Sequence, residues 1–168
     1  MAKAIIIVAP IDFRDEELFE TRKALEKRGI KVEVASVGVK EAKGFLGGKT
    51  KVDKDVLVVY AKDYDAVIFV GGKGCEIYYD DFVALDLAKE AYNMGKVVAA
   101  ICAAPTILAN ADLLIGRKAT SYPSQKEHLE DSGCEFVHEP VVVDGSIITA
   151  NGPEAAEDFG NAVADAIL

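Results

Sequence analysis

Histidine is scarce in this 168-residue chain, with only His128 in a polar stretch and His138 ahead of Glu139-Pro140. Neither stands at a strand end from which it would face a nucleophile, and with Cys134 the pair lacks the spacing of a closed metal site. Long hydrophobic runs are also missing. No stretch reaches the roughly 18 apolar residues of a membrane span, and Ala4 to Pro10 is too short for one and has no small-residue cleavage site behind it. Positive charge is in deficit: 19 Lys plus Arg face 28 Asp plus Glu, a formal net charge of -9, and the lysines are interleaved with acids. This balance argues against the clustered basic surface that nucleic-acid binding requires. Gly71-Gly72-Lys73-Gly74 lacks the spacing of a P-loop or dinucleotide fingerprint, so no nucleotide site is expected. Cysteine numbers three, Cys75, Cys102 and Cys134, an odd count without zinc spacing; free thiols in a reducing cytoplasm are expected, with no membrane partner.

What is present is a regular alternation. Ala4 to Val8 is a continuous apolar run, as in a strand buried on both faces, and Leu18, Thr21 and Leu25 then recur at helical spacing up to Gly29. Ile30 to Ser36 and Ala66 to Val70 read as further strands. Val83, Leu87, Ala91 and Met94 line one helix face that Gly95 ends, and Val97 to Ile101 is another buried strand. The spacing then predicts a helix over Pro105 to Leu114, a short strand over Ala119 to Tyr122, and a helix from Pro123 to Gly133. Asp144-Gly145 marks a hairpin, and Phe159, Val163 and Ala166 give the last helix its apolar side. Strands alternating with helices require crossovers, hence a mostly parallel sheet covered on both faces. No repeat or linker divides residues 1–168, and one domain is expected.

Ligands of open α/β sheets collect outside the carboxyl ends of the strands. Cys102 stands at such an end, between the strand Val97–Ile101 and the small residues Ala103-Ala104 before Pro105. A helix N-terminus beside it would favour the thiolate, although cysteine in such a place also serves as a small buried hydrophobe. Gly71-Gly72 ends another strand, where bare backbone can offer N–H groups to an oxyanion or simply turn the chain. Glu17, in the acidic run Asp15-Glu16-Glu17, suits a helix start through the helix dipole alone. Buried beside a thiol, its pKa would rise and it could work as acid or base.

Taken together these segments resemble the DJ-one/ThiJ/PfpI superfamily, which has a class I glutamine amidotransferase-like fold. Ala99-Ala100-Ile101-Cys102-Ala103-Ala104-Pro105 is similar to its nucleophile elbow, and Asp15-Glu16-Glu17-Leu18 to its acidic motif. Val70-Gly71-Gly72 is similar to its glycine pair, Gly116 to Pro123 to its next strand and loop, and Asn151-Gly152-Pro153 to the start of its last helix. The resemblance implies a flavodoxin-like three-layer sandwich with a small β-hairpin, a homodimer or higher homo-oligomer, and no cofactor. It implies Cys102 as the nucleophile, Glu17 as its carboxyl partner, and the N–H groups of Gly72 and Ala103 as the oxyanion pocket. Gly71, Asn151 and Pro153 would lie in or near the pocket. The activities implied are glyoxalase or deglycase chemistry on small reactive aldehydes, peptidase activity in the PfpI branch, and redox sensing or a chaperone role. Ala103 stands where the peptidase branch has its histidine, and Tyr122 where glyoxalase-like members often have one. Glu76 matches a carboxylate that the peptidase branch places at a subunit interface.

Overall fold

The computed structural model describes all residues 1–168. Its central sheet has seven strands, and each apolar run of the sequence becomes one of the inner ones. In chain order these are β1 (Lys3–Ile7), β3 (Lys31–Ser36), β7 (Ala66–Phe69), β8 (Val97–Ile101) and β12 (Ile147–Ala150), with β6 (Lys54–Asp55) and β11 (Val141–Asp144) at the edges. The spatial order is β11-β12-β8-β7-β1-β3-β6, parallel throughout except for the β11–β12 hairpin, whose turn carries Gly145 at φ 60.

Both faces of the sheet are buried, and the period of two sorts them. Ile5, Ile7, Val67, Phe69, Val98 and Ala100 look toward α2 (Phe82–Asn93) and α3 (Pro105–Asn110). Ala4, Ile6, Ile68, Val70, Ala99 and Ile101 look toward α1 (Asp15–Lys27) and α5 (Ala156–Ile167). A two-sided burial needs residues that are apolar at every position, which is why the strands read as unbroken runs. α1 ends at Gly29, φ 78, and α2 before Gly95, φ 75; Asp81 caps the start of α2 by accepting the Ala84 N–H at 3.0 Å. No helix is long and apolar enough to cross a membrane.

Three expectations change. The helix expected over Pro105 to Leu114 stops at Asn110, because Asp112 takes φ 61 and the Leu113 N–H turns back to the Leu108 carbonyl at 3.0 Å. The strand expected over Ala119 to Tyr122 shrinks to β9 (Lys118–Ala119), paired with β10 (Glu135–Phe136). Its remaining N–H groups serve other partners: that of Thr120 goes to Thr149 Oγ1 at 2.9 Å and that of Tyr122 to the Cys102 carbonyl at 2.7 Å. The helix from Pro123 is a 3-10 turn, Pro123–Gln125, continued by α4 (Lys126–Asp131). Residues 37–65 hold elements the hydrophobic pattern does not announce, including β4 (Glu41–Gly44) and β5 (Lys49–Lys51), which join β2 (Ile11–Phe13) in a small separate sheet.

α1 and α5 cross closely because of Gly160. A Cβ there would stand 2.7 Å from the Ala24 Cβ and 2.9 Å from the Thr21 carbonyl oxygen, and Thr21 Oγ1 donates to the Ala156 carbonyl at 3.3 Å. Helix propensity alone would make Gly160→Ala stabilising by about 1 kcal/mol. The clash with rigid atoms outweighs that gain, so the variant is expected to lose about 1–3 kcal/mol, read as a lower urea midpoint at unchanged m-value. A raised midpoint would show that the helices separate freely.

Candidate active site

The sheet order reverses direction beside β1: the chain steps to β3 on one side and returns to β7 on the other. Such a reversal opens a crevice at the carboxyl ends of the strands, and the segments after β1, β7, β8 and β12 meet there. Cys102 follows β8 directly and sits at φ 66, a left-handed conformation that costs a non-glycine residue about 1–3 kcal/mol. Backbone bonds hold it there. The Cys102 N–H donates to the Ala150 carbonyl at 2.9 Å, and the Cys102 carbonyl accepts from the Tyr122 N–H at 2.7 Å. That second bond fixes the peptide plane between residues 102 and 103. The opposite pole of the same plane is the Ala103 N–H, which together with the Gly72 N–H faces the sulfur. The next peptide is held too, since the Tyr79 hydroxyl donates to the Ala103 carbonyl at 3.2 Å.

Gly71 is the spacer between the thiol and its carboxyl partner. Its N–H donates to Glu17 Oε1 at 2.9 Å, and its carbonyl accepts from the Arg14 N–H at 3.0 Å. A Cβ at this position would lie 2.8 Å from both the Cys102 Cβ and Glu17 Oε1, and 2.7 Å from the Ile101 carbonyl oxygen, so only glycine fits. Gly72, at φ 99, turns the chain so closely over Asp12 and Arg14 that a Cβ would come within 2.6 Å of their backbone.

Glu17 is fully buried, its Oε2 has no hydrogen-bond partner, and its carboxyl group lies within reach of the Cys102 thiol. Burial raises its pKa to about 8, against the smaller opposing pull of Cys102, the Gly71 N–H and Arg14. Cys102 itself departs from expectation. It is only 9% exposed, and α3 beside it is a six-residue helix. Burial pushes the thiol up, a charged Glu17 pushes it further, and the N–H groups of Ala103 and Gly72 pull it back. The expectation of a thiolate favoured by a helix N-terminus is therefore corrected to a buried thiol that titrates together with Glu17.

The thiol opens into a cleft of about 500 Å³ lined by Arg14, Gly72, Tyr122, Pro123, Asn151, Gly152, Pro153 and Glu154. Tyr122, Asn151 and Pro153 all line this cleft. Glu76, expected from the resemblance at a subunit interface, is exposed on the 3-10 turn Lys73–Tyr78 and does not line the cleft. His128 is exposed and bound to Asn110 Oδ1 at 2.7 Å, and His138 stacks edge-on against Phe136 in a neighbouring pocket. Cys75 is buried, with its thiol raised to about 12, and Cys134 is buried as well. Asp15 accepts the Leu46 and Gly48 N–H groups at 2.8 and 2.7 Å and ties the β4–β5 turn to the helix, a structural duty. Arg14 was missed. Its place just before the acidic run was the available signal, since Glu16 holds it through Nε–Oε2 at 2.6 Å.

A three-layer α/β sandwich with a cysteine on a left-handed elbow and a buried glutamate at its sulfur defines a cysteine-centred branch of the flavodoxin-like fold. The model of the DJ-1/PfpI family matches residues 2–166, and the chain belongs to that family. Similar proteins include an uncharacterized protein of Methanocaldococcus jannaschii, 44% identical over 169 residues covering 99% of this chain and 82% of that one. A protein of Pyrococcus horikoshii named a deglycase is 34% identical over 149 residues, 89% of this chain and 90% of that one. Among solved structures, a ThiJ/PfpI domain protein from Brachyspira murdochii superposes with a TM-score of 0.96 at 38% identity, covering 98% and 95% of the two chains.

The buried carboxyl group makes a signed prediction. Glu17 has a folded pKa of about 8 against an ordinary value of 4.5, so the folded protein keeps the proton longer than the unfolded chain. Its contribution to stability is full below pH 4.5, declines as pH rises toward about 8, and is flat above. Glu17→Gln is expected to remove that decline and to exceed the wild type in urea midpoint at pH 9 by more than it does at pH 5. Parallel midpoints at both pH values would assign the burial effect to another group.

Proposed function

We propose that this chain is a cysteine-dependent, cofactor-independent enzyme of the glyoxalase or deglycase type, acting on small 2-oxoaldehydes or their adducts. The observation that carries the reading is the buried Glu17 carboxyl group, with an unpartnered Oε2, beside the Cys102 sulfur that Gly72 and Ala103 face with N–H groups. When the pair has lost one proton, the reactive form keeps the remaining proton on Glu17 and the charge on sulfur, where the two donors stabilise it.

The thiolate then adds to the aldehyde carbon, and the Glu17 proton passes to the new alkoxide to give a hemithioacetal. Until that transfer the oxyanion rests on the Gly72 and Ala103 N–H groups. Glu17, now ionised, takes the hydrogen of the former aldehyde carbon as a proton, leaving an enediolate, and returns it to the adjacent carbon while the hydroxyl proton moves to the neighbouring oxygen. The result is a thioester on Cys102, and water cleaves it to the free thiol and a 2-hydroxy acid. The oxidation of one carbon is balanced by the reduction of its neighbour, so no external oxidant enters. Tyr122 lines the cleft, and we assign it the role of orienting the intermediate.

The similarity to the Pyrococcus horikoshii protein named a deglycase supports this reading. So does Ala103, which supplies a backbone donor and no imidazole for a leaving amine. A redox-sensing role for Cys102 is the alternative, in which Glu17 would stabilise a sulfenic or sulfinic acid.

Purified protein is expected to convert methylglyoxal to lactate. Cys102→Ser should fall to the uncatalysed level, and Glu17→Ala should lose about a hundredfold in kcat, the usual size of a proton-transfer contribution. kcat/KM should climb with pH and level off above about 8, where the pair has lost its first proton. Equal rates for wild type and Cys102→Ser would refute the glyoxalase reading. With no turnover, oxidation of Cys102 ahead of Cys75 and Cys134 under mild peroxide, read by mass spectrometry, would favour the sensor instead.

A further inference from the structure

Arg14 is a cation on the wall of a cleft that holds the nucleophile, in a chain whose net charge is -9. Its guanidinium is half-exposed and fixed in place by Glu16, through Nε–Oε2 at 2.6 Å and Nη2–Oε1 at 3.5 Å. A guanidinium has five N–H donors. The bidentate grip of Glu16 occupies one edge, that of Nε and Nη2, and leaves the Nη1–Nη2 edge without a protein partner. That edge is a planar fork of the spacing a carboxylate accepts side by side. Glu16 thus restrains the arginine before any ligand arrives, which lowers the side-chain entropy lost on binding.

The other charged lining residue is Glu154, which is exposed after β12. Arg14 is the one cation on the lining, so a negative group that enters beside Cys102 is drawn to it and repelled by Glu154. We propose that the electrophile Cys102 attacks carries a carboxylate within a few bonds of the reacting carbon, and that the free edge of Arg14 receives it. The inference rests on Cys102 being the nucleophile, and it ranks anionic aldehydes above neutral ones such as methylglyoxal.

Alkylation separates this from the underlying reading, because iodoacetate and iodoacetamide carry out the same displacement on sulfur, with loss of iodide, and differ in charge. Rates at Cys102 are followed by mass spectrometry and normalised to those of free cysteine with each reagent. The iodoacetate-to-iodoacetamide ratio in the wild type is expected to exceed that of free cysteine by about fivefold, and to return toward it in Arg14→Gln. Added salt should lower the wild-type ratio without any substitution, which keeps the test open if the variant folds poorly. A change in thiol ionisation moves both rates together and leaves the ratio alone, so a general effect on the nucleophile does not mimic recognition. A wild-type ratio equal to that of free cysteine, or one that Arg14→Gln and salt leave unchanged, overturns the proposal while Cys102 stays the nucleophile. Failure of Cys102 to react with either reagent overturns the catalytic reading as well.

Discussion

The contact on which the site depends is the three-body packing of Glu17, Gly71 and Cys102. Gly71 lies so close to both side chains that its missing Cβ sets their separation, and its N–H occupies one oxygen of the carboxyl group. The second oxygen is left to the sulfur. An ionised carboxylate that is fully buried with one backbone donor is poorly solvated, so the group retains its proton well above the usual carboxylate range. The sheet supplies the rigidity: Glu17, Gly71 and Cys102 come from three separate crossovers, and the registers of β1 with β7 and of β7 with β8 hold them in one place.

Much of this was legible from the chain. Runs such as Val97–Ile101 announce a two-sided strand because both faces must be apolar, and Gly29, Gly95 and Gly145 mark reversals that adopt positive φ. The short strands of residues 37–65 were not legible for a physical reason. Glu41–Gly44 and Lys49–Lys51 bury one residue each, Ala42 and Thr50, and are held by backbone pairing that leaves no hydrophobic trace. The strand expected over Ala119 to Tyr122 stops at Ala119 because the Thr120 and Tyr122 N–H groups go to Thr149 and Cys102, and no local pattern specifies partners so far away in sequence.

The position of Cys102 was legible and its electrostatics were not. A strand followed by Ala103-Ala104-Pro105 announces an elbow, yet the pKa of the thiol depends on burial and on a glutamate 85 positions earlier. The helix that was to favour the thiolate is short, whereas desolvation acts on the whole side chain. The larger effect wins, and the thiol moves upward. What remains of the helix-start argument is its nearest donor, the Ala103 N–H, aligned by Tyr122 through the Cys102 carbonyl.

That alignment explains why a strained elbow is kept. A left-handed cysteine costs about 1–3 kcal/mol, comparable to the roughly 1 kcal/mol that each ordinary hydrogen bond returns. The bonds from Cys102 to Ala150 and from Tyr122 to Cys102 offset much of the strain, and neither would form in the same way if the residue relaxed to negative φ. Relaxation would also rotate the plane between residues 102 and 103 and turn the Ala103 N–H from the sulfur. With no histidine at position 103, backbone N–H groups are the donors that stabilise negative charge at this sulfur, so the elbow's geometry takes over work that an imidazolium could otherwise share. Arg14, held at the cleft wall by Glu16, adds charge at longer range and leaves the alignment of the donors to the backbone.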